Sequence, residues 1–184
     1  MIRPRTIDRD QLLNCAEDIA ASGGISEVTF GAVASAAGVP KASVQSAFGT
    51  RESLLDAMLQ RWVNRERERF NALAGSNPTP ADCVVAHLRS TASESHESML
   101  RMASLVATLG ASGTRVDRVV DWYESRGLST VAESPEQKRL RAAFLAAEGA
   151  FFVRYLVGLP MSDEVWQDIF SDLGQLAATT LPSR

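Results

Sequence analysis

The stretch TFGAVASAAGVPKASVQSAF, Thr29–Phe48, decides how the chain reads. Val33, Ala34 and Ala37 fall at i, i+1 and i+4, one apolar face of a short helix. Thr29 stands just before it as an N-cap, where its hydroxyl accepts an orphan backbone N–H. Gly38 stops that helix, because glycine takes the left-handed conformation a C-terminal turn needs. Val39 is a small apolar plug, and Pro40 suits the first turn of a second helix. That helix carries Val44, Ala47 and Phe48 on one face. Two short helices joined by a Gly-containing turn of about three or four residues form a helix-turn-helix pattern. The second helix leaves Lys41, Ala42, Ser43, Gln45 and Ser46 without a core to enter. Such a face can present side chains to a DNA major groove.

Outward from this stretch the pattern stays helical. Upstream, Asp8 and Gln11 have capping-box spacing, Leu12, Leu13, Ala16, Ile19 and Ala20 form an apolar stripe, and Gly23-Gly24 ends it. Val28 and Phe30 read as plugs of a small three-helix core. Downstream, Thr50 caps a long fourth helix with Leu54, Leu55, Met58, Leu59, Trp62 and Val63 on its apolar side. The charge run Arg65–Arg69 reads as a solvated surface of that helix. Residues 75–80, GSNPTP, break the pattern and form the clearest linker. Helices are then expected over residues 80–93, 96–110 and 114–126, with a turn opened by Gly110 and Gly113. The last two are expected over 136–158, closed by Gly158-Leu159-Pro160, and from Ser162 or Asp163 onward. In the first of these, Leu140, Ala143, Phe144, Ala147, Phe151 and Tyr155 make one stripe, and Leu145, Ala146, Gly149 and Phe152 a second. A helix apolar on two faces needs two partners.

Read with its flanks, the opening stretch resembles the N-terminal domain of TetR/AcrR-type transcriptional regulators. Four pieces carry the resemblance in order: LLNCAEDIAASGG (Leu12–Gly24), SEVTFGAVASAAGV (Ser26–Val39), PKASVQSAF (Pro40–Phe48) and GTRESLLDAM (Gly49–Met58). Gln45 stands where the family usually has an aromatic residue associated with a phosphate contact; its amide, with one donor and one acceptor, can instead read an adenine edge. Pro40 replaces the usual Ser or Thr, and Gly31 sits where a polar or basic residue is common.

The resemblance implies an all-α fold: an N-terminal three-helix bundle with a helix-turn-helix over residues 1–50, and a larger helical ligand-binding and dimerisation domain over 51–184. About nine helices are expected. It implies that Lys41, Ala42, Ser43, Gln45 and Ser46 face bases or phosphates and that Thr29 and Arg51 clamp the DNA backbone at helix N-termini. It also implies a small-molecule effector held in the C-terminal domain. Candidate contacts there are Met99, Met102, Leu105, Trp122, Tyr123, Phe144, Glu148 and Phe152. Glu148 and Arg154 stand out as charges within an apolar helix, which need partners if buried. A four-helix dimer interface is implied for the last two helices, through Leu140, Phe144, Phe151, Tyr155, Trp166, Ile169, Phe170 and Leu173.

Composition sets further bounds. The chain has 184 residues and a net charge of −3, and is 45% hydrophobic, so it has the composition of a globular protein. Residues 1–70 carry nine basic and nine acidic residues, so nonspecific DNA affinity should be modest and the placement of each cation decides. Arg3, Arg5, Lys41 and Arg51 lie where phosphates would sit. No run of 18 apolar residues exists and the N-terminus lacks a secretory pattern, so a cytoplasmic protein without a membrane partner is expected. The two cysteines, Cys15 and Cys83, make neither a CxxC pair nor a zinc set, and no cofactor or metal is implied. His87 and His96 are too far apart to share a helix face and read as surface or partly buried residues. No nucleotide-binding or nucleophile motif is present, so an enzyme is not indicated. The reading is a ligand-responsive homodimeric DNA-binding regulator, most simply a repressor on a palindromic operator. The rival is an all-α small-molecule module whose head no longer binds DNA.

Overall fold

The computed structural model describes residues 8–111, 117–126, 128 and 130–178, with Arg118 described by its backbone alone. The expected arm over residues 1–7, with Arg3 and Arg5, and Gly113 and Val116 fall outside these residues. Among the described residues there are nine α-helices and no strand. They are α1 (Arg9–Gly23), α2 (Phe30–Ala37), α3 (Lys41–Phe48), α4 (Arg51–Ala74), α5 (Pro80–Ser93), α6 (His96–Ala111), α7 (Asp117–Glu124), α8 (Pro135–Phe151) and α9 (Asp163–Ala178). A 3₁₀ turn covers Ile25–Glu27, and a π-helical turn, Phe152–Leu156, extends α8. The all-α class and the helical head followed by a helical body agree with the sequence.

The chain divides into two compact units, Met1–Trp62 with Leu100–Arg115, and Val63–Met99 with Val116–Arg184; the division falls inside α4 and α6. In the first unit α2 packs on both α1 and α3. Leu12, Leu13, Ala16, Ala20, Val28, Val33, Ala34, Val44 and Phe48 are buried, the apolar periods of three successive helices meeting in one core. Phe30 was expected in that core but stays half-exposed, because it opens α2 one turn ahead of Val33.

Each boundary has a local cause. Asp8 caps α1 by accepting the N–H groups of Asp10 and Gln11. Thr29 caps α2 through Ala32 N–H at 3.2 Å, and Thr50 caps α4 through Ser53 N–H at 3.1 Å. Pro40 precedes α3 as its N-cap, one residue earlier than its expected place in the first turn. Thr79 with Asp82, and Ser134 with Gln137, form complete capping boxes ahead of Pro80 and Pro135.

In the second unit α5, α8 and α9 pack on one another. Leu140, Phe144, Tyr155, Trp166 and Phe170 are buried there within the chain's own core. This corrects the expected interface set: those five side chains are already enclosed and have little surface left for a partner. Phe151, Ile169 and Leu173 are only partly covered. The second stripe is the open one, with Leu145 48%, Phe152 53%, Leu156 43% and Val165 49% exposed. No described helix is long and apolar enough to cross a membrane.

Gly38 sits at φ +65 with nothing within 4 Å of an added Cβ, whereas Gly31 lies inside α2 at an ordinary φ. Gly38→Ala should therefore destabilise by about 1 kcal/mol from backbone strain alone. Gly31→Ala should stabilise by about 0.5–1 kcal/mol through helix propensity. Urea unfolding of the two variants checks the opposite signs.

Candidate functional site

Two places gather polar chemistry. The first is the face of α3. Gly38 N–H bonds back to Ser35 O at 3.3 Å and Val39 N–H to Ala34 O at 3.0 Å, which closes α2 and turns the chain into α3. Val44 is fully buried and Phe48 is 6% exposed, so they fix the rotation of α3. Lys41, Ala42, Gln45 and Ser46 are then exposed and Ser43 half-buried. Thr29 is exposed at the start of α2, although its hydroxyl is occupied as a cap.

Arg51 behaves differently from the expectation. Its Nε donates to Val28 O and its Nη2 to Ile25 O, both at 2.7 Å. The guanidinium thus closes the carbonyl end of the 3₁₀ turn, and a role for it as a clamp on the DNA backbone is set aside. The spacing of Arg51 from the turn, 23 and 26 residues in sequence, hid this pairing.

The second place is a polar cluster inside the second unit. Of the expected ligand contacts, Trp122, Tyr123, Phe144 and Glu148 come together there. His87, wholly buried, donates and accepts at their centre. Its Nε2 lies 2.8 Å from Glu148 Oε1, and its Nδ1 lies 3.3 Å from Arg126 Nη1. Tyr123 Oη donates to Glu148 Oε2. The His87 ring meets Trp122 and Phe144 edge-on, at 5.6 and 5.5 Å between centroids.

Arg126 is 2% exposed. Its guanidinium carbon lies 3.9 Å from the Trp122 ring centroid and 4.4 Å from that of Phe70, and Nη2 donates to Glu66 O at 3.1 Å. Burial lowers its pKa to about 10, against the opposing pull of Glu66, Tyr123 and Glu148. Arginine only donates, so His87 Nδ1 must accept, and the ring proton sits on Nε2, where it is donated to Glu148. Burial, and then the charge of Glu148, hold the Tyr123 phenol protonated well above its ordinary range.

Beside this lies a second buried group. Glu66, 3% exposed, accepts from Ser90 Oγ and from Arg69 Nη2 at 3.2 Å, and Arg69 also pairs with Glu94. The run Arg65–Arg69, expected to be a solvated surface of the helix, is therefore corrected: Glu66 within it is buried. Glu66 falls on the apolar face between Trp62, Val63 and Phe70. His87 likewise falls between Val84 and Leu88, so periodicity carried a signal for both. His87 is correspondingly corrected from a surface or partly buried residue to a core one.

Met99 is buried in the second unit and Met102 half-buried in the first. Phe152 stands 53% exposed in the open stripe, which removes it from an enclosed ligand set. Glu148 and Arg154 have separate partners. Arg154 Nη2 donates to Asp163 Oδ1 at 2.5 Å and holds that carboxyl below its usual range. A groove of about 390 Å³ borders the cluster, with Phe144, Leu140 and Val84 among its lining and Glu133 and Arg141 bringing charge. No group of three or more His, Cys, Asp or Glu suited to a metal occurs among the described residues.

Residues 12–58 match the family model described as bacterial regulatory proteins, tetR family. Residues 81–178 match the one described as tetracyclin repressor-like, C-terminal domain. No curated protein sequence matches. Among solved structures, the chain is similar to the multidrug binding protein EbrR complexed with imidazole, with 17% identity, TM-score 0.65, and 96% and 92% of the two chains covered. A transcriptional regulator from Rhodococcus sp. Rha1 is 18% identical, with TM-score 0.64 and coverage of 91% and 94%. A member of the TetR family from Streptomyces coelicolor A3 is 17% identical, with TM-score 0.60 and coverage of 90% and 96%. At such identities these likenesses describe the fold.

Replacing His87 tests the cluster. His87→Leu leaves the buried Arg126 without its acceptor and should cost about 3 kcal/mol in urea unfolding. His87→Gln can accept from Arg126 and donate to Glu148, and should cost about 1 kcal/mol.

Proposed function

The chain belongs to the TetR family of bacterial regulatory proteins, and from that membership we propose that it is a homodimeric, ligand-responsive repressor acting in the cytoplasm on a palindromic DNA operator. The family places a DNA-binding domain first and a ligand-binding domain after it. The observation that carries the finer reading is the exposed face of α3, where Lys41, Ala42, Gln45 and Ser46 stand together beyond a glycine turn. In this reading α3 enters the major groove, Gln45 reads a base edge, and Lys41 and Ser46 meet bases or phosphates. Ser43 contributes from its half-buried position, and Thr29 presents the N-terminus of α2 to a phosphate.

The effector is a small molecule acting on Trp122, Tyr123, Phe144 and Glu148, with Met99 of the same unit as a further candidate. Support comes from the concentration of aromatic rings around one partly exposed carboxylate, Glu148, whose side chain is 25% exposed. EbrR, similar in fold, is described as a multidrug binding protein and is known in complexes with ethidium and proflavin. An effector that draws Glu148 away from His87 also disturbs Arg126 and its bond to the α4 backbone at Glu66. Operator affinity then falls only as far as the effector prefers one α4 position over another.

Two experiments test this reading. A mobility-shift titration on the DNA upstream of the protein's own coding sequence should show Gln45→Ala losing about 1–3 kcal/mol of discrimination at one base position. Lys41→Ala should weaken binding there as well. If both variants bind as tightly as the parent, the assignment of α3 is wrong.

For the dimer, we propose the open stripe of Leu145, Gly149, Phe152 and Leu156 with Val165 and the half-covered Phe151, Ile169 and Leu173. A two-fold interface meets each substitution twice. Sedimentation should therefore show the parent as a dimer and Leu145→Glu with Phe152→Glu as a monomer. A dimeric double variant sinks this interface.

A further inference from the structure

We propose that Arg9 is a second phosphate-binding cation of the head, beside Lys41, held at the edge of the major groove by the ring of Phe48. The inference rests on the DNA-binding reading above. Residues 8–62 carry four cations: Arg9, Lys41, Arg51 and Arg61. Two of them are committed within the protein. Arg51 donates to Val28 O and Ile25 O. Arg61 donates to Asn14 Oδ1 at 2.8 Å and lies 3.9 Å from the Glu17 carboxylate.

Arg9 is held in another way. Its side chain is exposed, and its guanidinium carbon lies 4.8 Å from the centroid of the Phe48 ring. A ring face engages the π side of a guanidinium and uses none of its five N–H donors. The group is therefore oriented while its hydrogen-bonding capacity is left over. An anion meeting it finds a planar fork already placed, a geometry suited to two phosphate oxygens.

The position follows from the helix that carries Phe48. Phe48 is the last residue of α3 and follows Gln45 by three, so the two are neighbours along one side of that helix. A helix with its side chains is about 10–12 Å across, and the major groove is about 12 Å wide. A recognition helix thus fills the groove, and a group lying on its flank lies against the wall, which is sugar and phosphate. Asp8, whose Oδ1 caps α1 by accepting from Asp10 and Gln11 N–H, keeps its negative charge and works against an anion there. Asp10, exposed in the same turn, does so too. Because residues 8–62 carry only these four cations against seven carboxylates, each cation free to meet a phosphate weighs heavily in the salt dependence.

The test uses the full-length protein and two duplexes of equal length: one selected by the protein from a random-sequence pool, and a scrambled one. Affinity is measured against KCl concentration. Arg9→Gln should lower the slope of log K on log salt by about 0.9 per protomer on both duplexes. The base preferences of the selected site should stay unchanged. Arg9→Lys, which keeps the charge, should restore the slope. An unchanged slope in Arg9→Gln overturns the proposal, as does a loss confined to the selected duplex. A lowered melting temperature with the parental slope makes the stacking on Phe48 purely structural and overturns it too. A parent protein that binds neither duplex overturns the DNA-binding reading itself.

Discussion

The second unit is built around a positive charge that water cannot reach. Arg126 is 2% exposed, and removing a guanidinium from water costs several kcal/mol unless its surroundings replace the lost hydration. Two aromatic faces, Trp122 and Phe70, cover its plane, and two acceptors, Glu66 O and His87 Nδ1, take its donors. A desolvated cation–π contact is worth about 2 kcal/mol or more, so the stacking is a substantial part of what offsets the burial. The counter-charge is reached through a neutral ring: His87 passes the polarity on to Glu148, which also accepts from Tyr123. Helices α4, α5, α7 and α8 are tied by one network in which the direction of each bond is fixed: Arg126, just past α7, donates to Glu66 O and to His87, and His87 and Tyr123 both donate to Glu148.

That direction limits what the cluster tolerates. A residue at position 87 must accept on one side and donate on the other, and the residue at 148 must accept twice. The ring environment then follows from the polar one, since Trp122 and Phe70 cover the guanidinium while Phe144 and Tyr123 pack around the His87 ring. The same cluster reaches the α4 backbone at Glu66, whose own carboxylate is held by Ser90 and Arg69. Glu148, the partly exposed end, is thus connected through His87 and Arg126 to the α4 backbone at Glu66, which is what supports the effector role proposed for these residues.

In the head the governing constraint is smallness. Gly38 makes the turn, Ala34 and Ala37 allow α2 to lie close, and Val44 with Phe48 sets the rotation of α3. What remains outside is small, Ala42, Ser43 and Ser46, apart from the longer Lys41 and Gln45, so few side chains decide any recognition. Arg51, a plausible cation by position, is spent on closing the 3₁₀ turn, which shifts weight to the cations that remain outside.

The sequence by itself determined the elements and their ends. Glycine stops, hydroxyl caps and three-to-four-residue apolar spacing are local properties, and α2, α3, α5 and α6 fall within a residue of where they were expected. It also found the two stripes of α8. What it did not decide was which stripe faced inward, because both are apolar and only the packing of α5 and α9 against α8 encloses Leu140 and Phe144 while leaving Leu145 and Phe152 outside. Nor did it decide the partners of its charges. Glu66 with Ser90, His87 with Glu148 and Arg51 with Val28 are separated by 23 to 61 residues, and a single chain carries no local signal for pairings made across the fold. Periodicity marked Glu66 and His87 as lying on apolar faces; only tertiary packing, by removing water from them, required each to be answered by a particular partner.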